Sequence, residues 1–219
     1  MWSSETTNML IRGILESLYM TGAATLAGYV LGLPWGIALA VSDEDGIRPN
    51  RALYRVLDAA ANILRSIPFL ILLILIIPLT IFIVGKSYGS TATIVPLTVS
   101  AAPLIARMVE TSLKEVDHGV IEAAQAMGAD DMTIIRTVLL GEARVSLISG
   151  ATITLGTILG YSAMAGTVGG GGLGDIAIRY GYYRYQGDIM VVTVILLILL
   201  MQIFQLIGTT LAASLDKRK

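Results

Sequence analysis

Apolar residues occur in five long uncharged runs along the chain, and the shorter segments between them carry most of the charged side chains. The runs cover residues 17–41, 66–85, 87–106, 145–168 and 189–213. A helix needs about 20 predominantly apolar residues to cross the hydrocarbon core of a bilayer, so each run predicts one transmembrane helix. We therefore expect an all-α, polytopic membrane protein with a single domain over residues 1–219 and five transmembrane helices.

Two of these runs indicate how the helices pack. The third run, 87–106, contains several serines and threonines and two prolines, so we expect it to face protein or a cavity rather than lipid. In the first run, glycines recur at every fourth position: Gly28, Gly32 and Gly36. Such glycines let helix backbones approach closely, either within the chain or in a seam between two copies of it.

Composition agrees with a membrane protein and excludes several other classes. The 219 residues are 55% hydrophobic and have a mean hydropathy of +0.76, which is too apolar for a soluble domain of this size. The absence of cysteine and the presence of a single histidine, His118, argue against a metal site or a bound cofactor in this chain. A net charge of −1 gives no basic surface for nucleic acid.

The basic residues are distributed unevenly between the two sides of the membrane that five spans define. Ten lie on the side of the central loop and the C-terminus: Arg48, Arg51, Arg55, Arg107, Lys114, Arg136, Arg144, Lys217, Arg218 and Lys219. Four lie on the opposite side: Arg12, Lys86, Arg179 and Arg184. Lysine and arginine accumulate in cytoplasmic loops, so we expect the N-terminus outside the cell and the C-terminus in the cytoplasm.

Residues 117–140, called the 117–140 loop below, form a largely polar interruption between the third and fourth predicted spans. The pattern favours two short amphipathic helices that meet at Gly128, where a left-handed backbone can end the first helix. In the first helix, Val120, Ile121, Ala124 and Met127 would share one apolar face. Asp130 can cap the second helix. From Asp117 to Ile135 the chain carries four acidic residues and no lysine or arginine, whereas helices that lie on a membrane surface are usually basic. We therefore expect the loop to dock on a protein.

The loop also contains residues at the spacing of a known motif. They are Glu122, Ala123, Ala124, Gly128, Val138 and Leu140. This arrangement resembles the EAA motif of permease subunits of ATP-binding-cassette importers, which reads EAA, three residues, G, nine residues, I, one residue, LP. Valine stands at the isoleucine position of that motif, and Gly141 stands at the proline position.

Three further segments resemble the methionine-import branch of these permeases. They are Arg65–Phe69 (RSIPF), Gly160–Gly174 (GYSAMAGTVGGGGLG) and Tyr180–Tyr185 (YGYYRY). The similarity runs over nearly the whole chain and includes the count of five spans. It implies a permease subunit that takes up methionine, with an importer for another amino acid or small solute as the nearest alternative.

The resemblance also implies partners and a site of coupling. A second copy of the chain, two cytoplasmic ATP-binding-cassette ATPase subunits and an extracytoplasmic solute-binding protein would assemble in the bacterial cytoplasmic membrane. ATP and magnesium would be bound by the ATPase, so this chain would not be an enzyme. The residues expected to contact the ATPase through a coupling helix are Glu122, Ala123, Ala124, Met127 and Gly128.

The fourth span suggests a lining for the solute pathway. Thr154, Thr157, Tyr161 and Met164 follow one another at intervals of three, four and three residues and therefore share a helix face, and Ser162 lies beside them. The alternative is that the threonines bond to carbonyls of their own helix while Tyr161 and Met164 pack. The five runs contain no charged residue, which favours a net-neutral solute moved by an external energy source.

Two other classes of function are weaker. An ATP-independent channel or secondary carrier is the alternative from another class of transport protein, and a stable complex with an ATPase would exclude it. A membrane-embedded serine hydrolase would use Ser162, yet Met164 replaces the second glycine of a nucleophile elbow and His118 is predicted on the other side of the membrane. Gly169, Gly171 and Gly174 match a nucleotide-binding spelling but follow an apolar helix instead of a strand. We expect these glycines to form a flexible extracellular loop where a binding protein docks.

Overall fold

A computed structural model describes residues 4–215, and this part of the chain consists of helices and the turns that connect them. The α-helices are α1 (Ser4–Ser42), α2 (Arg51–Ser66), α3 (Phe69–Leu75), α4 (Ile77–Val84), α5 (Ser90–Lys114), α6 (His118–Ala126), α7 (Asp131–Thr133), α8 (Leu140–Glu142), α9 (Arg144–Ala165), α10 (Gly172–Ile176) and α11 (Gly187–Leu215). Wider π-helical turns follow α7 at Ile134–Leu139 and α10 at Ala177–Tyr182. The all-α prediction is confirmed over these residues, and the predicted cytoplasmic residues Lys217, Arg218 and Lys219 lie outside them.

Four helical segments within residues 4–215 are long and apolar enough to cross a membrane. They are Ser4–Ser42, Ser90–Lys114, Arg144–Tyr182 and Gly187–Leu215. The central helix α5 is the most buried of them, at 56% of its most apolar stretch, and α11 is the least buried, at 11%. This contrast agrees with the expectation that the hydroxyl-rich third run faces protein.

The second predicted span, 66–85, is not one continuous helix. It consists of α3 and α4, which are separated at Ile76, and α3 follows α2 through a bend of 100°. Pro78 explains the first interruption, because proline disfavours a helical conformation in the preceding residue and clashes with the carbonyl four residues earlier. Pro68 explains the bend between α2 and α3 in the same way. Only when α2 and α3 are taken together is there a fifth candidate span.

The glycines of the first run serve contacts within the chain. A Cβ atom at Gly32 would lie 2.6 Å from the carbonyl oxygen of Ala102, and one at Gly36 would lie 2.5 Å from that of Ala106. Both oxygens belong to α5, so the row of glycines lets the backbones of α1 and α5 approach closely. The side chains of Met20, Leu97, Ile105 and Ile158 fill the core beside this contact.

Candidate functional site

The 117–140 loop adopts the predicted sequence of helix, bend and helix. Asp117 caps α6 by accepting a 2.7 Å hydrogen bond from the amide of Gly119. The chain then turns at Gly128, whose φ of +81° lies in the left-handed region. Asp130 caps α7 by accepting a 3.2 Å hydrogen bond from the amide of Thr133, and the hydrogen bonding of Thr133 lowers the pKa of Asp130. These caps and the glycine turn account for the boundaries of both helices.

The residues expected to contact an ATPase differ in exposure. Glu122, Ala123, Met127 and Gly128 are exposed, with 82% of Met127 accessible, whereas Ala124 is buried. Ile121 is also buried and packs with Ala124 against the main hydrophobic core. The sequence grouped Val120 and Met127 with these two residues on one apolar face, and that grouping is wrong because both Val120 and Met127 point away from the core. Ala124 thus anchors α6, and the other four residues are free for a partner.

Acidic groups lie in and around the loop, and Asp131 of the loop pairs with a basic residue in the connection between α1 and α2. The guanidinium Nε of Arg48 lies 2.5 Å from Oδ2 of Asp131, an ion pair that bridges two segments far apart in sequence. Beside the loop, a cleft of about 510 Å³ separates the end of α5 from the start of α9. Glu115, Asp117 and Glu142 lie along this cleft. The surface next to α6 is therefore as acidic as the sequence indicated.

A second charged feature, the Glu110 cluster, lies at the same end of the bundle. It consists of Asp43 after α1, Tyr54 and Asp58 on α2, and Arg107, Glu110 and Lys114 on α5. Glu110 is 4% exposed and accepts hydrogen bonds from Arg107 at 2.7 Å, from Lys114 at 2.8 Å and from Tyr54 at 3.0 Å. Arg107 also pairs with Asp58. The cluster joins three helices close to the point where α5 leads into α6.

The outer members of the Glu110 cluster complete the charge pairing. Lys114 lies 2.9 Å from Oδ2 of Asp43. Burial alone would raise the pKa of Asp43, but the hydrogen bond and charge of Lys114 outweigh it and hold that pKa below its usual value. Asn62 accepts a further 2.9 Å hydrogen bond from Arg107. Both Arg107 and Lys114 are thus paired with carboxylates.

The residues predicted to line the pathway are distributed over different surroundings. Thr154 and Ser162 are buried inside the chain, Thr157 and Tyr161 are half-buried, and Met164 is 48% exposed. Thr154 donates a 2.9 Å hydrogen bond to the carbonyl of Gly150, and Thr157 donates one to that of Ile153. Ser162 donates to the carbonyl of Leu159 at 2.8 Å. The alternative interpretation of the threonines, in which they bond to their own helix, therefore describes their hydroxyl groups correctly.

Two features near this face have no counterpart in the sequence pattern. The ring of Tyr161 stacks on that of Phe69 at the start of α3. A groove of about 380 Å³ runs between α9 and α11, with Thr157 on one wall and Gln205 on the other. Its polar groups come from Ser149, Thr152, Thr157, Gln205 and Thr209. Hydroxyl and amide groups in an apolar bundle give this groove the capacity to bond a polar solute.

The glycine-rich segment at the other end of α9 is packed. Sequence reasoning favoured a flexible outer loop for it, and that expectation is wrong. The amide of Gly172 donates a 2.8 Å hydrogen bond to Oε2 of Glu16, and the amide of Leu173 donates one of 2.9 Å to Oγ of Ser17. A Cβ atom at Gly174 would lie 2.2 Å from the carbonyl oxygen of Ala163. These glycines allow α10 to fold back against α1 and α9.

The pattern of apolar runs does not predict the Glu110 cluster, because its ionisable residues lie outside those runs. The signal was present: Arg107, Glu110 and Lys114 follow one another at intervals of three and four on α5. Tyr54, Asp58 and Asn62 follow one another at intervals of four on α2 and likewise share one helix face. Two polar stripes of this kind on neighbouring helices predict an ionic contact between them.

Comparisons with known proteins give a consistent result. Residues 32–219 match the family described as "Binding-protein-dependent transport system inner membrane component". The chain is 50% identical over 217 residues to a probable D-methionine transport system permease protein MetI of Vibrio cholerae, covering 99% of this chain and 96% of the relative. It is 54% identical over 158 residues to the D-methionine transport system permease protein MetI of Escherichia coli strain K12, covering 72% and 73%.

A solved structure gives the same indication. The chain superposes with a TM-score of 0.97 on a chain from inward-facing conformations of the MetNI methionine ABC transporter. The two chains are 48% identical, and the superposition covers 99% of this chain and 100% of the other.

Proposed function

Because the chain belongs to the family of binding-protein-dependent transport system inner membrane components, we propose that it is the permease subunit of an importer that takes up methionine. The role of an ABC importer permease, and a multi-pass location in the inner membrane, follow from that membership. The relatives in Vibrio cholerae and Escherichia coli are named for D-methionine, which makes methionine the first solute to test. Another amino acid is the alternative.

The observation that carries the proposal is the division of α6 into a buried face and an exposed one. Ile121 and Ala124 fix the helix to the core, while Glu122, Ala123 and Met127 project from the bundle. A helix that is packed on one side and exposed on the other can transmit a displacement by a bound partner to the rest of the bundle. We therefore assign the 117–140 loop as the coupling element that an ATPase subunit grips.

The connections of the loop define the route of that movement. α6 follows α5 directly, and Asp131 is paired with Arg48 in the connection between α1 and α2. The Glu110 cluster then joins α5 to α2 and to the end of α1. A displacement of the loop would be passed to α1, α2 and α5 together. ATP and magnesium would be bound by the ATPase and not by this chain.

The pathway for the solute is assigned to α9 and its neighbours. The face with Thr157, Tyr161 and Met164 and the groove beside α11 bring hydroxyl, amide and thioether groups together in an otherwise apolar bundle. Such a lining suits a net-neutral amino acid with an apolar side chain, because it offers hydrogen bonds to the charged ends and soft contacts to the thioether. Thr154 and Ser162 are buried in this conformation and would join the lining only after the helices shift.

The remaining parts of the assembly follow from the same proposal. A second copy of the chain would complete the pathway, and two ATPase subunits would bind the two 117–140 loops. An extracytoplasmic solute-binding protein would deliver the solute at the end that holds α10. The N-terminus would then lie outside and the C-terminus in the cytoplasm, as the distribution of basic residues predicts.

The direct test is uptake of labelled methionine into vesicles that contain this chain, its ATPase and its binding protein. We expect uptake to require ATP and to be inhibited by unlabelled methionine more strongly than by other amino acids. Inhibition by a different amino acid alone would assign another solute to the same machinery. Uptake that proceeds without the ATPase would instead identify a channel or carrier and contradict the importer role.

A further inference from the structure

Helix α2 has an unusual orientation of its polar and apolar faces. Its polar residues Tyr54, Asp58 and Asn62 are directed at α5, where they contact Arg107 and Glu110. Its apolar residues Leu53, Val56 and Ile63 are 45%, 67% and 64% exposed. They recur at intervals of three and seven and so form one stripe along the helix. The exposed stripe must be covered by something other than residues 4–215 of this chain.

The contacts of α2 show that it crosses α5 instead of running beside it. From Tyr54 to Asn62, α2 advances about 12 Å, whereas its contacts on α5 advance only from Glu110 to Arg107, about 4.5 Å. The 100° bend between α2 and α3 has the same consequence, because α3 packs into the main core through Phe69 and Leu73. Since α5 is a candidate span, α2 lies across the end of the bundle that carries the 117–140 loop.

The charges beside the stripe indicate what covers it. Arg55 and Arg65 are exposed, and neither takes part in an ion pair among the residues that the structure describes. Arg51, in contrast, is paired with Glu44 at 2.9 Å. Arg55 lies about 100° round the helix from Val56, at the edge of the apolar stripe. Arg65 lies about 180° from Val56, on the polar side of the helix. Unpaired guanidinium groups on the polar side of an amphipathic helix are the arrangement that anionic phospholipid favours.

We infer that α2 lies in the plane of the cytoplasmic leaflet, where Leu53, Val56 and Ile63 enter the acyl region and Arg55 and Arg65 bind phosphates of anionic phospholipid. This surface differs from the 117–140 loop, which is acidic and has no lysine or arginine between Asp117 and Ile135. One end of the molecule thus carries an acidic element for a protein and a basic amphipathic helix for lipid. The Glu110 cluster fixes the second element to α5.

The first test measures the depth of α2 in the membrane. The chain contains no cysteine, so Val56→Cys introduces a single site for a fluorophore. The labelled chain, in complex with its ATPase, is reconstituted in vesicles of phosphatidylethanolamine and phosphatidylglycerol. We expect quenching by lipids brominated near the headgroup end of the acyl chain and no quenching by iodide in the water. Ile63→Cys is the second variant and should give the same result if Val56→Cys assembles poorly.

Two matched sites calibrate this measurement. Ile198→Cys on the apolar helix α11 should be quenched by deeply brominated lipid, and Asp45→Cys in the turn before α2 should be quenched by iodide. Iodide quenching at Val56→Cys would show that the stripe faces water and would overturn the inference. Protection from both quenchers would show that a second copy or the ATPase covers it, which would overturn the inference as well.

The second test concerns the arginines. The measurement is binding of fluorescent phosphatidylglycerol to the detergent-purified complex. One double variant combines Arg55→Gln and Arg65→Gln, and the control double variant combines Lys86→Gln and Arg184→Gln. Loss of both arginines should weaken binding about 25-fold, because each basic residue near an anionic surface contributes about 1 kcal/mol, which is about fivefold. The control removes the same charge at the other end of the bundle and should bind normally. Equal binding by both double variants would refute the headgroup contact. Neither test depends on solute or nucleotide, so failure would leave the importer role intact.

Discussion

The phenol ring of Tyr161 lies flat against the ring of Phe69, with centroids 4.7 Å apart and planes inclined by 2°. Tyr161 belongs to α9, and Phe69 is the first residue of α3. The stack therefore connects the face predicted to line the pathway with the short helix that follows the bend at Pro68. It joins two elements that the sequence pattern treats as separate spans.

Replacing Tyr161 by leucine should loosen this connection, whereas Tyr161→Phe should preserve it. An aromatic pair contributes about 0.5–1.5 kcal/mol beyond the burial of its area, so Tyr161→Leu should lower the thermal unfolding temperature of the purified complex. The measurement is a melting curve of both variants, with Phe69→Leu and the Tyr161→Leu, Phe69→Leu double variant to complete a cycle. Strictly additive losses in the cycle would show that the rings do not stabilise each other.

Gly128→Pro should abolish ATP-driven uptake while leaving insertion into the membrane unchanged. Proline holds φ near −65°, whereas the bend between α6 and α7 requires +81° at this position. Gly128→Ala should be intermediate, since a left-handed backbone costs a residue with a Cβ about 1–2 kcal/mol. Uptake and ATPase activity are measured in vesicles. Gly141→Ala is the matched control, because a Cβ atom there has open space around it. Normal uptake by Gly128→Pro would contradict a coupling role for the loop.

Glu110→Gln should destabilise the chain strongly. Glu110 is almost fully buried and pairs with both Arg107 and Lys114, and breaking a buried ion pair costs about 3–5 kcal/mol. The readout is the fraction of the complex that survives a temperature ramp in detergent. Glu115→Gln removes the same charge at an exposed position one residue after α5 and should behave like the unmodified chain. Indistinguishable melting of the two variants would mean that the cluster contributes nothing to stability.

Gly36→Ala should force α1 away from α5. The added Cβ atom would lie 2.5 Å from the carbonyl oxygen of Ala106, and overpacking of this kind costs about 1–3 kcal/mol. Gly22→Ala on the exposed side of the same helix meets nothing within 4 Å and should be neutral or stabilising by about 0.5–1 kcal/mol. Chemical denaturation in mixed micelles compares the two. A reversed order of stability would refute the close contact between α1 and α5.

Met164→Ala should raise leakage of solute or change the uptake rate, because Met164 is exposed at the end of α9 and supplies the bulkiest flexible side chain of the proposed lining. Efflux of labelled methionine from loaded vesicles measures the leak without ATP. Met132→Ala, which removes an exposed methionine from the 117–140 loop, is the control for the leak. Unchanged efflux and uptake in Met164→Ala would remove Met164 from the gate.

The sequence predicted the parts of this molecule that depend on local patterns. The apolar runs led to the long helices, and Asp117, Gly128 and Asp130 led to the caps and the bend of the 117–140 loop, because a cap or a left-handed turn is determined by a few adjacent residues. The close packing permitted by Gly32 and Gly36 was also foreseeable, although only the structure shows that the neighbour is α5 of the same chain.

Features that depend on distant residues could not be predicted in this way. The contact of Glu16 with Gly172 and the stack of Phe69 on Tyr161 join positions far apart in sequence, and no local pattern identifies either partner. The burial of Thr154 likewise depends on how the helices surround α9. Pro78 could have predicted the interruption of the second span at Ile76, but the continuous apolar run around it indicated a single helix.

The amides of Gly172 and Leu173 donate hydrogen bonds to Glu16 and Ser17, and these bonds hold α1 against the segment that follows α9. Because Gly172 and Gly174 fit tightly between their neighbours, the two elements cannot move past each other without steric clashes. The segments of α1 and α10 that meet here therefore form one tightly packed block. Opening of a pathway at this end of the bundle would then require movement between whole subunits, because the block itself cannot divide.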